Sequence, residues 1–478
     1  MTARRAGRPS VGLSHRLPVL LVVALVLLVL VAASHAGHTF EASAHATAAP
    51  VSGPTVPPAD AISSSWFCAE GTAIAGGRAQ ETLLVANLGR SPLTATVTVQ
   101  PTTQPIVTRQ FSVPAAAQQR IDVTSLVTAA EPGVIVEVLG GAAVVEHELQ
   151  HGSQTAVGPC ARQAAPDWYF AGGDTGIGAT DTLALFNPFG DDAIVDLTFL
   201  TAQGVEAPGQ GQAIDVPRRS RVSVALQQLI PDQDALAVHV HARSGRLVAE
   251  QSVSFDGTNG LTGFSTALGA TGTATTWRVP TGDAETGAGA TIALANFVGS
   301  GARVDVHVVL DSGASLPTIH ASVPAMGVTP VPLSTIPSGG GYSLSARASR
   351  GGAVVLQLLG TWSSATPGPG SVSTLGTTVT ASRWAFATGR LSGSSAAQLV
   401  ALNPSRRRRS VRLLAGAAGV LTTVTTMSVA GGQRVVVPLP ASVGPDQVVV
   451  LQSDGPVAVG RLILVPSPSA SAGVPSLP

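Results

Sequence analysis

One cassette recurs four times along this chain and limits what it can fold into. A tryptophan opens a short apolar segment, a Gly-rich stretch follows, and a second apolar segment ends on asparagine: Trp66 with Asn87, Trp168 with Asn187, Trp277 with Asn296, and Trp384 with Asn403. The period is about 100 residues, the size of a domain that buries its own core. The second copy shows the internal pattern best, as seven strand-like segments at 168–171, 182–186, 194–200, 213–216, 221–226, 236–242 and 247–253. Leu236, Val238 and Val240 alternate with His239 and His241, the period of a half-buried strand. A short helical turn is expected near 226–230.

The last two segments of each copy flank glycine, at Gly140-Gly141, Ser244-Gly245, Gly351-Gly352 and Asp454-Gly455, and read as a terminal hairpin whose turn needs positive φ. The chain is 45% hydrophobic but only 4% aromatic, with 53 Gly and 34 Pro, so small and β-branched side chains do the packing between many turns. The expected fold is all-β: four tandem immunoglobulin- or fibronectin-like β-sandwiches at 63–162, 165–268, 274–378 and 381–466, after an N-terminal apolar helix. A single β-propeller is the other candidate, but its blades run about 40–50 residues, half the period seen.

Ahead of these units lie a basic segment, 1–16, and an apolar segment, 17–36, that reads as a signal peptide or a membrane anchor with its N-terminus inside. Both readings place the remainder outside the cytoplasm, secreted or tethered to the membrane. Residues 37–62 read as a flexible stalk and 467–478 as a disordered tail, both rich in Ala, Ser, Pro and Gly. Formal net charge is zero, so nucleic acid is not an expected partner.

The two cysteines, Cys68 and Cys160, read as a disulfide in an exported chain. Alignment of the first two units sets Phe170 and Phe264 in their places, which suggests a packed aromatic pair there. Trp66-Phe67-Cys68, the Leu-x-x-x-Asn-Pro-like strand ends (83–87, 183–188, 399–404) and the arginine-flanked apolar segment together resemble an actinobacterial family of exported proteins of unknown function with repeated β-domains. The resemblance implies an extracytoplasmic, membrane-tethered protein and brings no catalytic residues with it. The third unit departs from the pattern, with Ala295-Asn296-Phe297 in place of Asn-Pro.

Across the expected terminal hairpins His239 would face Glu250, and Glu146 would share a face with Glu137 and Glu148. Such groups can ligate a metal or act as acid and base, or simply form the polar face of a half-exposed sheet. Asp174, Asp181, Asp191 and Asp192 suit either calcium-binding loops or ordinary turns. Arg406, Arg407, Arg408 and Arg409 could meet an anionic wall polymer, or form a solvated loop. The repeated tryptophans read as core rather than as a sugar platform, and the asparagines as turn caps. No hydrolase elbow, metalloprotease helix or nucleotide loop is present, so no catalytic residue, cofactor or metal is expected. The functional expectation is a non-enzymatic cell-envelope protein that binds or scaffolds a wall polymer or another envelope protein. The alternatives are a wall-polysaccharide binding or processing protein, or a passive spacer; if extended, the stalk and four modules would project about 100 Å or more.

Overall fold

The computed structural model describes residues 53–478 apart from 259, 284–287, 338–339, 350–351, 363–369, 395, 418, 465–467 and 477–478. The basic segment, the apolar segment and the stalk as far as residue 52 lie outside the described residues, among which no helix is long and apolar enough to cross a membrane. The fold is all-β. Among the described residues an α-helix, Leu226–Leu229, falls where a helical turn is expected.

The first unit sets the plan with β1 (Ser63–Cys68), β2 (Gln80–Asn87), β3 (Leu93–Pro101), β4 (Val107–Val113), β5 (Gln118–Asp122), β6 (Pro132–Leu139), β7 (Ala143–His151) and β8 (Gln154–Pro159). They form two antiparallel sheets, β1-β6-β3-β4 and β5-β2-β7-β8. Val97 and Val136 from one sheet and Leu83 and Val145 from the other bury into one core with Trp66, giving a β-sandwich. The other three units repeat both strand orders, and in the fourth a single strand, Val449–Leu464, serves both sheets.

The terminal hairpin is not formed. β6 pairs with β1 and β3, whereas β7 pairs with β2 and β8 in the opposite sheet. Gly140 and Gly141 have the positive φ expected of a tight turn (79° and 61°), but their N–H groups donate to the carbonyls of Ile62 and Ala61 instead of closing a hairpin. A strand–turn–strand pattern does not distinguish a hairpin from an arch that carries the chain across a core, because both require apolar alternation and a Gly turn. The arch also departs from immunoglobulin order: the first strand lies beside the sixth rather than the second, and the seventh beside the second rather than the sixth.

The repeated residues hold these cores together. All four tryptophans are buried, and the indole N–H groups of Trp168, Trp277 and Trp384 donate to the carbonyls of Leu247, Val354 and Val457. Each asparagine is buried at its strand end: Asn187 Nδ2 donates to the carbonyls of Asp191 and Val216, and its Oδ1 accepts from Phe189 N–H. Asn87, Asn296 and Asn403 make the corresponding bonds.

Cys68 and Cys160 are disulfide-bonded, but the expected aromatic substitute is not a Phe–Phe pair. The N–H of Cys160 bonds to Val145 O, and its counterparts by the same bond are Gly269, Gly376 and Gly473. A side chain on Gly269 would lie 2.7 Å from the Phe170 ring, and one on Gly473 would lie 2.6 Å from Phe386. In the second and fourth units a large ring against a glycine thus fills the volume of the disulfide. Phe264 packs elsewhere, with Ala79, Leu149 and Ala156 of the first unit and stacked on His151.

The four units do not extend in a line. Residues 50–478 form one compact body in which β8 packs against its second-unit counterpart (Thr262–Leu268), that against the third-unit strand (Gly370–Leu375), that against the fourth-unit strand (Pro468–Ala472), and the last against β8. Four last strands therefore close a ring with approximate fourfold symmetry. A cavity of only about 50 Å³ remains between them, touched by Gly158, Thr266, Ser373 and Ser471, one from each unit. The expected extended arrangement of the modules is corrected by this closure. So are the two ends of the expected linkers: Val56 is buried with its N–H on Pro475 O, and 468–472 and 474–475 are strands rather than a disordered tail.

One register position explains the closure. Three residues before each repeated asparagine, the partner on the β7-type strand is Glu146, Glu250, Gln357 and Gly460 in turn. The first three reach the end of the first strand of the preceding unit. Glu146 Oε2 accepts from Ala387 N–H of the fourth unit, Glu250 Oε2 from Glu70 N–H of the first, and Gln357 Oε1 from Ala171 and Gly172 N–H of the second. Gly460 of the fourth, where no side chain fits, sits against Thr281 of the third. Since a strand end leaves backbone donors without a ladder partner, a buried acceptor from the next unit satisfies them.

Candidate ligand cleft between the second and third units

A cleft of about 640 Å³ opens where the second unit meets the third. Its second-unit wall begins at the end of strand Asp167–Gly173. Gly172 must lack a side chain, because a Cβ there would lie 2.8 Å from both Gln357 and Leu359. Gln357 ties this strand end to the third unit, and Gly172, Gly173 and Asp174 line the cleft. The opposite wall comes from the strands Ala288–Asn296 and Val355–Trp362, which contribute Ala290, Ala293 and Leu359, and from Pro330 and Pro332. Strands Thr262–Leu268 and Gly370–Leu375 also border the cleft, through Ser265, Ser371, Val372 and Ser373.

Carboxyl groups gather at the second-unit edge. Asp174 and Asp234 line the cleft, and Asp283 lines it from the third unit. Asp181 lies directly behind Gly173, wholly buried, with Oδ2 accepting from Asp174 N–H at 3.0 Å and both oxygens accepting from the Gln251 amide. Burial pushes its carboxyl up to about 8, more than these donors offset, so it stands as a neutral acid at neutral pH. Burial also raises Asp174, helped by the charge of Asp234, against the Gly176 N–H bond that lowers it. The Tyr342 phenol is buried on the other side, raised by desolvation and by Asp283. An apolar slot with acidic groups at its edge can hold a small molecule that is mostly apolar and carries a cationic or hydrogen-bond-donating group.

The sequence candidates are dispersed. Glu250 lies buried at the seam of the first and second units with Glu70, Glu81, His147 and Arg221. Arg221 Nη2 is 3.2 Å from Glu70, and His147 is 3.1 Å from Glu81 and 3.6 Å from Glu250. Burial lifts Glu250 to about 7; burial also opposes the charge of His147, yet Glu250 and Glu81 outweigh it and hold the imidazole at about 9. Glu146 is buried at the seam of the first and fourth units against Arg461. His239 is nowhere near Glu250: it pairs with Thr198 and Tyr169 on the outer sheet, beside His241 and Asp167. Asp191 and Asp192 serve turns, through Asp191 O to Asn187 and Asp192 Oδ1 to Arg218 N–H. Arg406, Arg407 and Arg408 are exposed on the turn after Asn403, and Arg409 is half-buried, its guanidinium bonded to Asp454 O.

The sequence reading did not contain Gln357, Gly172 or the cleft itself. The available signal was a polar residue at one register position of otherwise apolar strands in three of the four units, Glu146, Glu250 and Gln357.

Comparison with known proteins adds a family and no activity. The model of a family of unknown function, DUF5719, matches residues 142–440. No curated protein matches. Among solved structures, a Thermotoga maritima 1070 structure aligns over 22% of this chain and 92% of its own at 18% identity and TM-score 0.20. A tetra-tandem repeat from the extending region of a large adhesion protein aligns over 87% and 100% at 11% identity and TM-score 0.12.

Proposed function

We propose, for a chain that belongs to DUF5719, a family of unknown function, that it is a non-enzymatic binding protein of the cell envelope whose ligand enters the cleft between the second and third units. The observation that supports the reading is the 640 Å³ cleft, far larger than the cavity on the ring axis and bounded by backbone that the Gln357 bonds hold in place. A ring of sandwiches locked by buried bonds is a rigid carrier for such a site. The ligand class is a small, largely apolar envelope component with an amine or hydroxyl group directed at Asp174 and Asp234. Export by the arginine-flanked N-terminal segment, with or without retention as an anchor, places the protein where such components occur. Arg406 to Arg408, exposed on one turn, add a secondary contact for anionic wall polymer.

The test is retention of compounds from an envelope extract by the full-length protein in detergent, read by mass spectrometry. Ala290→Trp should fill the slot while leaving the fold intact. Compounds held by the wild type and lost by this variant support the reading; the same compounds held by both proteins, or none held by either, overturn it.

A further inference from the structure

The outer sheet of the second unit brings three ligating side chains to one point that the cleft does not use. Asp167 lies on the first strand of that unit, and His239 and His241 lie two residues apart on the neighbouring strand Leu236–Ser244, so pleating puts all three on one face. Asp167 Oδ1 is 2.9 Å from His239 Nε2 and 2.8 Å from His241 Nδ1. A single carboxylate oxygen shared by two imidazoles makes the donors converge, where an ordinary cross-strand row would spread them about 5 Å apart. All three donor atoms lie within 4.8 Å of one another.

We propose that Asp167, His239 and His241 form a binding site for a divalent transition-metal ion of the zinc class. Two imidazoles and one carboxylate are the donor set such ions prefer, and Ca²⁺ or Mg²⁺ would require more oxygens. Bond lengths of about 2.0–2.2 Å in a tetrahedral site place ligand atoms about 3.3–3.6 Å apart. The present contacts need to open by only about half an ångström, which rotations of partly exposed side chains supply. The Tyr169 ring lies flat on His239, with centroids 4.4 Å apart and planes within 5°, and fixes the orientation of that imidazole. Phe297 of the third unit stands 5.0 Å from Tyr169 and 6.0 Å from His239 and walls one side. His241 remains on the solvent side, so a fourth coordination position faces water and admits an exchangeable anionic or water ligand.

The experiment is titration of the full-length, metal-stripped protein in detergent with Zn²⁺ alone, followed by calorimetry, and with Co²⁺, followed by its visible d–d bands. The chain holds 10 histidines, so every measurement is a difference against His239→Ala/His241→Ala. The expected result is one more equivalent bound by the wild type than by the double variant, with Co²⁺ bands of a four-coordinate ion that the double variant lacks. Asp167→Asn keeps a hydrogen-bonding side chain of the same size and should also lose the site. Tyr169→Ala, which alters only the support of His239, should weaken binding about tenfold. Near-UV circular dichroism of the buried tryptophans reports that each variant is folded. Equal uptake by wild type and double variant, or uptake by neither, overturns the proposal and leaves a hydrogen-bonded surface triad.

Discussion

Replacing Glu146 by glutamine should loosen the ring where its first and last units meet. Glu146 is fully buried, with Oε2 2.8 Å from Arg461 Nη1 and 3.1 Å from Ala387 N. Arg461 is 1% exposed, lies over the Phe386 ring and donates also to Ser471 Oγ and the carbonyl of Thr388. Glutamine preserves the shape and one acceptor, so little packing is lost. The guanidinium, however, is left in the seam without a counter-charge. Removing one partner of a buried pair costs about 3–5 kcal/mol, and the two acceptors that Arg461 keeps point to the lower end, about 3 kcal/mol. Against a total stability of about 5–15 kcal/mol, that is enough to shift a denaturation midpoint clearly. Urea unfolding gives the overall loss, and hydrogen exchange at the Ala387 amide, whose acceptor is Glu146, locates it. Glu146→Leu combined with Arg461→Met should recover most of the loss, since an apolar pair of similar volume replaces a buried ion pair almost neutrally. If Glu146→Gln lies within about 0.5 kcal/mol of wild type and Ala387 stays protected, this pair does not close the ring.

Other consequences follow from single positions. Asp181, held at about 8 by burial, keeps a proton in the folded chain that the unfolded chain releases above about pH 4, so stability falls as pH rises from about 4 to 8. Asp181→Asn should flatten that slope, measured as melting temperature from acid to mildly alkaline buffer; an unchanged slope refutes the assignment. Replacing Cys68 and Cys160 by serine opens a loop spanning a sequence separation of 92 and should lower stability by about 4–5 kcal/mol on the loop-entropy model, read by chemical denaturation with and without reductant. Gly269→Ala forces a methyl into the Phe170 ring and should cost about 1–3 kcal/mol, whereas Gly209→Ala, which meets nothing within 4 Å, should be silent; equal effects in a thermal melt would refute the ring-against-glycine account.

The sequence carried the repeated part of this protein. Tryptophan and asparagine recur because each unit needs the same indole in its core and the same side chain to bind the turn after its second strand, and local needs of that kind leave a period in the sequence. The disulfide was legible because a chain with two cysteines offers each of them one partner. What was not legible is everything that depends on which surfaces meet. The Gly turn between the last two strands suits a hairpin and an arch equally, so the sheet in which Glu146 or Glu250 lies was open until the cores were assembled. The glycines opposite Phe170 and Phe386 are silent in sequence, because an absent side chain has meaning only beside the ring that fills its place. The convergence of Asp167 with His239 and His241 likewise required the first strand to lie beside the sixth.

From the residues alone came four all-β units of one design, since strand period, turn chemistry and a core tryptophan are properties of short stretches. The ring, its buried Glu–Arg seam, the cleft and the Asp–His–His cluster were decided by tertiary structure. Burial gives Glu146, Glu250 and Gln357 one task at one register position, which Gly460 fills without a side chain, and burial is a property of the packed chain.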